Sequence, residues 1–205
     1  MALIKHAIQL VKDATPFKDR HYPVSSAVEQ LVYKEVHEML RLGVIEESES
    51  PWINRTALVR LDARKLNALT IKDAYLLQNN EGILSRIDQT NFISSIDLKH
   101  AFWQIELENN NRQHTAITVP GRPLYQFRVI PFGLCNAVQR LCRLMDLVVP
   151  QNLKGNVFVY LNDLLVISQD FDSQIQLLKV IAACFAKANL TIGLTKTKFC
   201  FKYLR

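Results

Sequence analysis

The apolar positions of this chain follow two periods, and the sharpest pattern lies at residues 157–168, VFVYLNDLLVIS. Two apolar runs rich in β-branched residues, VFVYL and LLVIS, flank the single polar dipeptide Asn162-Asp163. Asn and Asp accept the positive backbone angles of a two-residue turn, so the pattern predicts a β-hairpin with both side chains at its tip. Another apolar run, FISSID, ends at Asp97 immediately before LKHAFWQI. A strand ending in an acid, set beside a hairpin tipped with an acid, can hold divalent metal ions through hard carboxylate oxygens.

Helical periodicity marks other segments. Ser26-Ala-Val-Glu29 has the form of a capping box, and Val28, Leu31, Val32, Val36, Met39 and Leu40 follow at helical spacing, with Gly43 as the stop. A helix is expected over 136–148, with Leu141, Leu144, Met145 and Val148 on one face. A second is expected over 172–188, striped by Ile175, Leu178, Ile181, Ala182 and Phe185. Pro16 and Pro23 disfavour helix, so residues 1–24 read as an extended lead-in. Residues 44–52 read as a turn and 56–61 as a short strand. Residues 62–67 and 70–75 read as loop and short helix, and 80–87 as a further helix. A turn or short helix carries Phe102, Trp103 and Ile105. Residues 114–119 and 124–130 read as two strands joined across Pro-Gly-Arg-Pro. The tail, 191–204, alternates strand-like segments with lysines. Strand, helix, hairpin, helix, strand packs most economically as an antiparallel sheet backed by two helices, an α+β domain.

Composition narrows the class without naming it. At 205 residues and 49% hydrophobic, the chain can bury a sizeable core in one domain or two packed lobes. Gly and Pro number only 6 and 7, which argues against low complexity. The net charge of +6 suits a polyanionic partner, although ordinary soluble proteins also carry such an excess. Cys135, Cys142, Cys184 and Cys200 have no CxxC spacing and sit among apolar residues, so free thiols in a reducing compartment are expected. His37-Glu38 opens an HExxH pattern, but Arg41 stands where the second His belongs, which excludes a zincin site. The N-terminal run MALIKHAIQLVKD has no small-residue cleavage site. No run approaches the roughly 18 apolar residues of a membrane span. The expected setting is intracellular, cytoplasmic or nuclear, with no membrane partner.

The motifs in their order are specific. YPVSSAVEQLVYKEVHEMLRLGVIEESESPW, LDARKLNALTIKDAY, SSIDLKHAFWQI, TAITVPGRPLYQFRVIPFGLCNA, VFVYLNDLLVIS and ANLTIGLTKTKFCF follow one another along the chain. Together they resemble the reverse transcriptase of gypsy-type long-terminal-repeat retrotransposon polyproteins. The resemblance implies a palm subdomain at 91–205 and a partial fingers subdomain at 25–90, with the thumb and RNase H regions absent. It implies RNA-directed DNA synthesis from deoxynucleoside triphosphates on an RNA or DNA template-primer, with two Mg2+ ions activating the primer hydroxyl and stabilising the leaving pyrophosphate. Asp97 and Asp163 match metal-binding aspartates, and Leu98 would offer a backbone carbonyl. Phe102 stands where the family keeps an aromatic that excludes a ribose 2′-hydroxyl. Pro131, Phe132 and Gly133 match the segment that packs on nucleotide and template, and Arg64 and Asn67 a segment near the template. Lys196 matches a lysine proposed to protonate pyrophosphate.

The chain also departs from that pattern. Asn162 replaces the first Asp of the family's hairpin pair, which removes a full negative charge from a site meant for two dications. Residues 56–60 run straight into 61–64, where the family places a Lys- and Arg-rich hairpin that grips the triphosphate. The sequence given stops near the start of the family's primer-gripping segment. Motif B reads CNAVQRLCRLM instead of the usual Pro-Ala-Thr-Phe run, with Val138 and Leu141 keeping its apolar character. These departures predict a degenerate, truncated copy with little or no polymerase activity. The alternatives are a non-catalytic nucleic-acid-binding protein, a retroelement remnant without a selected role, or a scaffold subunit for other chains of the same polyprotein.

Overall fold

The computed structural model describes residues 4–20, 23–57, 59–75, 85–87, 90–160 and 163–201. The helices are α1 (Ser26–Arg41), α2 (Arg64–Leu69), α3 (Ala137–Val148) and α4 (Phe171–Lys187). The strands are β1 (Ile45–Glu47), β2 (Thr56–Ala57), β3 (Arg60–Leu61), β4 (Phe92–Asp97), β5 (Tyr125–Phe127), β6 (Val157–Tyr160), β7 (Asp163–Ser168) and β8 (Lys198–Phe201). Short 3₁₀ turns lie at Ala101–Gln104, Asn109–Thr115 and Gln151–Leu153. Among the described residues, no helix is long and apolar enough to cross a membrane.

The chain divides into two compact units that interleave in sequence. One joins 4–73 with 105–137; the other takes in 74–104 and the chain from 138 onward. The pairing of β1 with β5 ties 105–137 to the N-terminal stretch, and residue 90, where the fingers and palm spans expected from sequence meet, lies inside the second unit.

In the first unit, α1 buries Val32, Val36 and Met39 on one stripe. It ends in a Schellman motif: Gly43 takes φ 67°, its N–H donates to Leu40 O, and the Val44 N–H donates to Met39 O. The capping box is not formed. Ser25 is the N-cap and makes no side-chain cap bond, while the Glu29 carboxylate accepts from the Tyr33 hydroxyl at 3.0 Å. The turn expected at 44–52 contains β1, which pairs antiparallel with β5 through Ile45–Phe127 and Glu47–Tyr125. The single strand expected at 56–61 is instead the antiparallel pair β2–β3. Residues 114–119 do not form the expected strand. Ile117 is the one residue of this run that pairs with β5, exchanging both backbone bonds with Tyr125 at 2.7 and 3.1 Å. The 3₁₀ turn runs to Thr115, and the Phe127 N–H donates to Thr115 Oγ1 at 3.0 Å instead of to a backbone carbonyl. The lead-in is extended, bridging His6 to Leu107, Leu10 to Thr70 and Lys18 to Ile53. Of the helix expected at 80–87, residues 85–87 are helical and the others lie outside the described residues.

The second unit is built on one four-stranded sheet, in the order β6-β7-β4-β8, antiparallel throughout. Its two faces differ, as the period of two requires. Ser94, Ile96, Leu164 and Val166 share the face covered by α4, and all four are buried. There Gln174 of α4, itself fully buried, donates to Ser94 Oγ at 2.8 Å and Val166 O at 3.0 Å. The opposite face is apolar at one end, where Ile93, Phe158 and Ile167 form a cluster. At its other end lie Asp97 and Asp163. Helix α3 buries the stripe Leu141, Leu144, Met145 and Val148 that its periodicity predicts. The fold is the α+β type expected.

Candidate functional site

Asp97 closes β4 and Asp163 opens β7, and the antiparallel register sets them directly opposite one another. Asp97 turns its own N–H and C=O away from β7: the N–H donates to Thr197 Oγ1 at 3.2 Å and the C=O accepts from the Gly193 N–H at 2.7 Å. The pair is therefore of the non-hydrogen-bonded kind, in which side chains approach most closely, with Cα atoms about 4.5 Å apart. Both residues are partly exposed at the strand ends. Partial burial raises the Asp163 carboxyl above the usual carboxylate range, the charge of Asp97 raises it further, and the charge of Lys196 opposes them. Two acids and one lysine thus share one electrostatic neighbourhood. Asn162 lies outside the described residues.

A turn holds this strand end in place. The Lys99 N–H donates to Thr191 O at 3.0 Å, and Leu98 bridges antiparallel to Ile192. The N–H groups of Lys196 and Thr197 both donate to Gly193 O at 3.1 Å, folding 193–197 into a compact loop beneath Asp97. Gln104 sews the same region together: its side chain donates to Lys99 O and Thr191 O and accepts from the Thr191 N–H. Phe102, on the 3₁₀ turn before it, is 8% exposed. Sequence reasoning missed Gly193, Thr197 and Gln104. The one available signal was an isolated glycine inside a strand-like pattern, TIGLT, which marks close backbone approach.

The remaining expected residues belong to the first unit, and two of them are joined there. Asn67 on α2 donates through Nδ2 to Gly133 O at 2.7 Å and accepts at Oδ1 from the Cys135 N–H at 2.9 Å. Asn136 repeats the device, donating to Ile71 O and accepting from the Asp73 N–H. The loop so fastened carries Pro131, which is buried, Phe132, which is 45% exposed, and Gly133 at φ 100°. Arg64 grips Asp62 in a two-pronged ion pair, at 2.9 and 2.6 Å, and holds the Asp62 carboxyl down to about 2.

A divalent ion is tested by the donors present. Asp97 and Asp163 supply hard oxygens suited to Mg2+ or Mn2+, and two carboxylates facing each other gain from a cation between them. Among the described residues, no group of three or more His, Cys, Asp or Glu side chains converges on one point. The pair fits a cation, with fewer protein charges than a closed carboxylate cage.

Residues 52–204 match the family of reverse transcriptases (RNA-dependent DNA polymerases). The chain is 30% identical over 202 residues to the retrovirus-related Pol polyprotein from transposon gypsy of Drosophila melanogaster, covering 91% of this chain and 19% of that protein. It is likewise 30% identical over 210 residues to the Pol polyprotein from transposon 297 of the same organism, covering 96% and 20%. The chain therefore spans about a fifth of the length of these curated relatives. In fold it is similar to the foamy viral protease-reverse transcriptase solved with an RNA/DNA hybrid, with TM-score 0.83 and 20% identity over 97% of this chain and 28% of that one. A second structure of that enzyme, with double-stranded DNA, gives TM-score 0.85 and 19% identity over 99% and 37%. With a family match over residues 52–204 and the acidic pair set on an antiparallel sheet, this chain belongs to the reverse transcriptase (RNA-dependent DNA polymerase) family.

Proposed function

We propose that Asp97 and Asp163 are the metal-binding acids of a nucleotidyl-transfer site for RNA-directed DNA synthesis, and that this site is crippled by Asn162. The observation that supports it is the non-hydrogen-bonded pairing of the two acids at the open end of a sheet face. When bound, Mg2+ would supply Lewis acidity toward the primer hydroxyl and the triphosphate. Asp97, the Leu98 carbonyl and Asp163 would hold it. Lys196 places its charge beside Asp163 and serves as the candidate proton donor to pyrophosphate. Phe102 is the candidate barrier to a ribose 2′-hydroxyl. Pro131, Phe132 and Gly133, with Arg64 and Asn67 behind them, are the candidate nucleotide and template contacts. The substrates would be deoxynucleoside triphosphates on an RNA or DNA template-primer, met in the cytoplasm or nucleus.

The chemistry of the substitution sets the size of the loss. Asn162 is nearly isosteric with Asp but neutral, so a charge that would face two dications is missing. Losing one carboxylate from a centre for two dications slows the reaction by about tenfold for each ~1.4 kcal/mol of transition-state stabilisation that it supplied. The absence of a basic hairpin between residues 56–60 and 61–64 removes cations that would stabilise the triphosphate. The test is Mg2+-dependent single-nucleotide primer extension on an RNA template, comparing the unaltered chain, Asn162→Asp and Asp97→Ala. Extension that appears only with Asn162→Asp supports the proposal; extension by the unaltered chain above the Asp97→Ala control refutes the impairment.

The net charge of +6, with the loop at 131–133 fastened in place, favours a second reading, nucleic-acid binding without chemistry. It requires affinity that falls steeply with salt. Binding indifferent to salt, or none, removes it.

A further inference from the structure

A strand's last residue is supported from one side only unless something else binds it, and Asp97 is such a residue. Three residues further on, the chain has left the sheet, with His100 at φ 48°. An acid in that place would sample several positions, yet a metal ligand needs one. The 193–197 turn supplies the missing support, and it does so at the backbone and at the carboxylate together.

We propose that Gly193 and Thr197 are positioning residues for Asp97: their turn fixes its backbone through two hydrogen bonds and leaves, at Gly193, the space its carboxylate occupies. A Cβ built on Gly193 would lie 2.5 Å from Asp97 Oδ2 and 3.5 Å from Asp97 O. The backbone of Asp97 has no room to retreat, because its C=O already accepts the Gly193 N–H at 2.7 Å. The carboxylate would have to rotate instead. A side chain at 193 therefore moves the ligand oxygen, and a displacement of about 1 Å at such a centre can cost 10²-fold in rate. Thr197 acts through its hydroxyl, which accepts the Asp97 N–H at 3.2 Å and donates to Gly193 O at 3.0 Å. One hydroxyl thus ties the strand end to the turn that accommodates its side chain. The same turn carries Lys196, whose charge reaches Asp163, so acid and lysine are set by a single element.

This inference rests on Asp97 as a metal ligand, and its experiment separates the two. The isotopically labelled chain is compared with Gly193→Ala, Thr197→Val and Thr197→Ser. Gly155→Ala is the control, since a Cβ there meets nothing within 4 Å. The readouts are the Asp97 side-chain Cγ resonance in metal-free protein and the Mn2+ dissociation constant from paramagnetic broadening. Gly193→Ala should shift the Asp97 signal and weaken Mn2+ binding by about tenfold or more, the scale of lost outer-shell support, while Gly155→Ala changes neither. Thr197→Val should do likewise and Thr197→Ser should restore the unaltered behaviour. An Asp97 signal unmoved in Gly193→Ala, or equal behaviour of the two Thr197 variants, overturns the inference. Absence of Mn2+ binding by the unaltered chain refutes the metal reading alone, because the Asp97 resonance still decides the positioning. Should Gly193→Ala fail to fold, the Thr197 pair carries the decision.

Discussion

Replacing Asn67 with alanine removes two hydrogen bonds at once, the one given to Gly133 O at 2.7 Å and the one taken from the Cys135 N–H at 2.9 Å. Each neutral bond contributes about 0.5–1.5 kcal/mol net, so the loss should be roughly 1–3 kcal/mol if the loop cannot find other partners. Gly133 restricts the alternatives. It holds φ 100°, a conformation that the fastening helps to select, and its Cβ position faces Leu61 O and Ala63. Urea unfolding followed by circular dichroism measures the change. With a slope of roughly 2 kcal/mol per molar urea, a loss of about 2 kcal/mol moves the midpoint down by about 1 M. Asn67→Asp should recover part of it, since a carboxylate still accepts from Cys135 but repels the Gly133 carbonyl. A side chain that served only a template would leave the midpoint alone. An Asn67→Ala midpoint unchanged within about 0.3 kcal/mol would refute the fastening role argued from these two bonds.

Three other outcomes are expected. Arg64 holds the Asp62 carboxyl down to about 2, so this contact stabilises the fold above pH ~4 and is lost as pH falls toward 2. Arg64→Ala should return the Asp62 titration, followed by carboxyl NMR, to the ordinary range near ~3.9; an unmoved titration contradicts the pairing. Burial pushes the His114 imidazole down, and its ring packs edge-on against Trp52 at 5.2 Å. The fold therefore prefers neutral His114, and stability should decline as pH drops below about 6.5, where the unfolded chain takes up the proton first. Trp fluorescence of urea unfolding at pH 7.5 and 5.5 should show this decline and its reduction in His114→Phe; an identical pH dependence in both proteins rules it out. Ser94→Ala strips a shared acceptor from Gln174 Nε2 and the Cys200 N–H inside the buried face, so it should destabilise by about 1–3 kcal/mol. A change below about 0.5 kcal/mol in the unfolding free energy would mean both donors have other acceptors.

What could be read from sequence followed the length over which a pattern repeats. The apolar runs on either side of Asn162 and the one ending at Asp97 persist for several residues, and the helices of the second unit repeat their stripe over three turns or more, so these elements were legible. The turn was placed one residue late, since Asp163 already pairs with Tyr160 as the first residue of β7. The register that sets Asp97 against Asp163 follows from two acids ending two such strands. β1 was missed because three residues, Ile45–Glu47, are too few to display alternation. The strand expected at 114–119 shrinks to the Ile117–Tyr125 bridge because a 3₁₀ turn runs to Thr115 and its hydroxyl takes the Phe127 N–H, a contact that no local pattern announces. The capping box failed because the helix starts one residue earlier, with Ser25 as the N-cap, which puts Glu29 one position beyond the third helical residue that the box requires; its carboxylate accepts from Tyr33 instead. Thr197 reaches Asp97 across a separation of 100 residues and Asn67 reaches Cys135 across 68. Contacts of that span are fixed by the fold and leave no trace in neighbouring residues.

The sheet face that ends in Asp97 and Asp163 is divided between two kinds of residue, with Ile93, Phe158 and Ile167 packed at the far end. The apolar end favours folding by burial, whereas paired acids in a metal-free site repel one another and oppose it. Replacing Asp163 relieves repulsion there, whereas the Asp97 carboxylate also fills the space beside Gly193. Mutational drift in such a domain is therefore asymmetric: substitutions of Asp163 that erase chemistry are invisible to folding quality control, while those that open the apolar cluster are removed by it. Packing and chemistry are thus under separate constraints in such a sheet, and a well-packed core is no witness to any reaction at its acidic end.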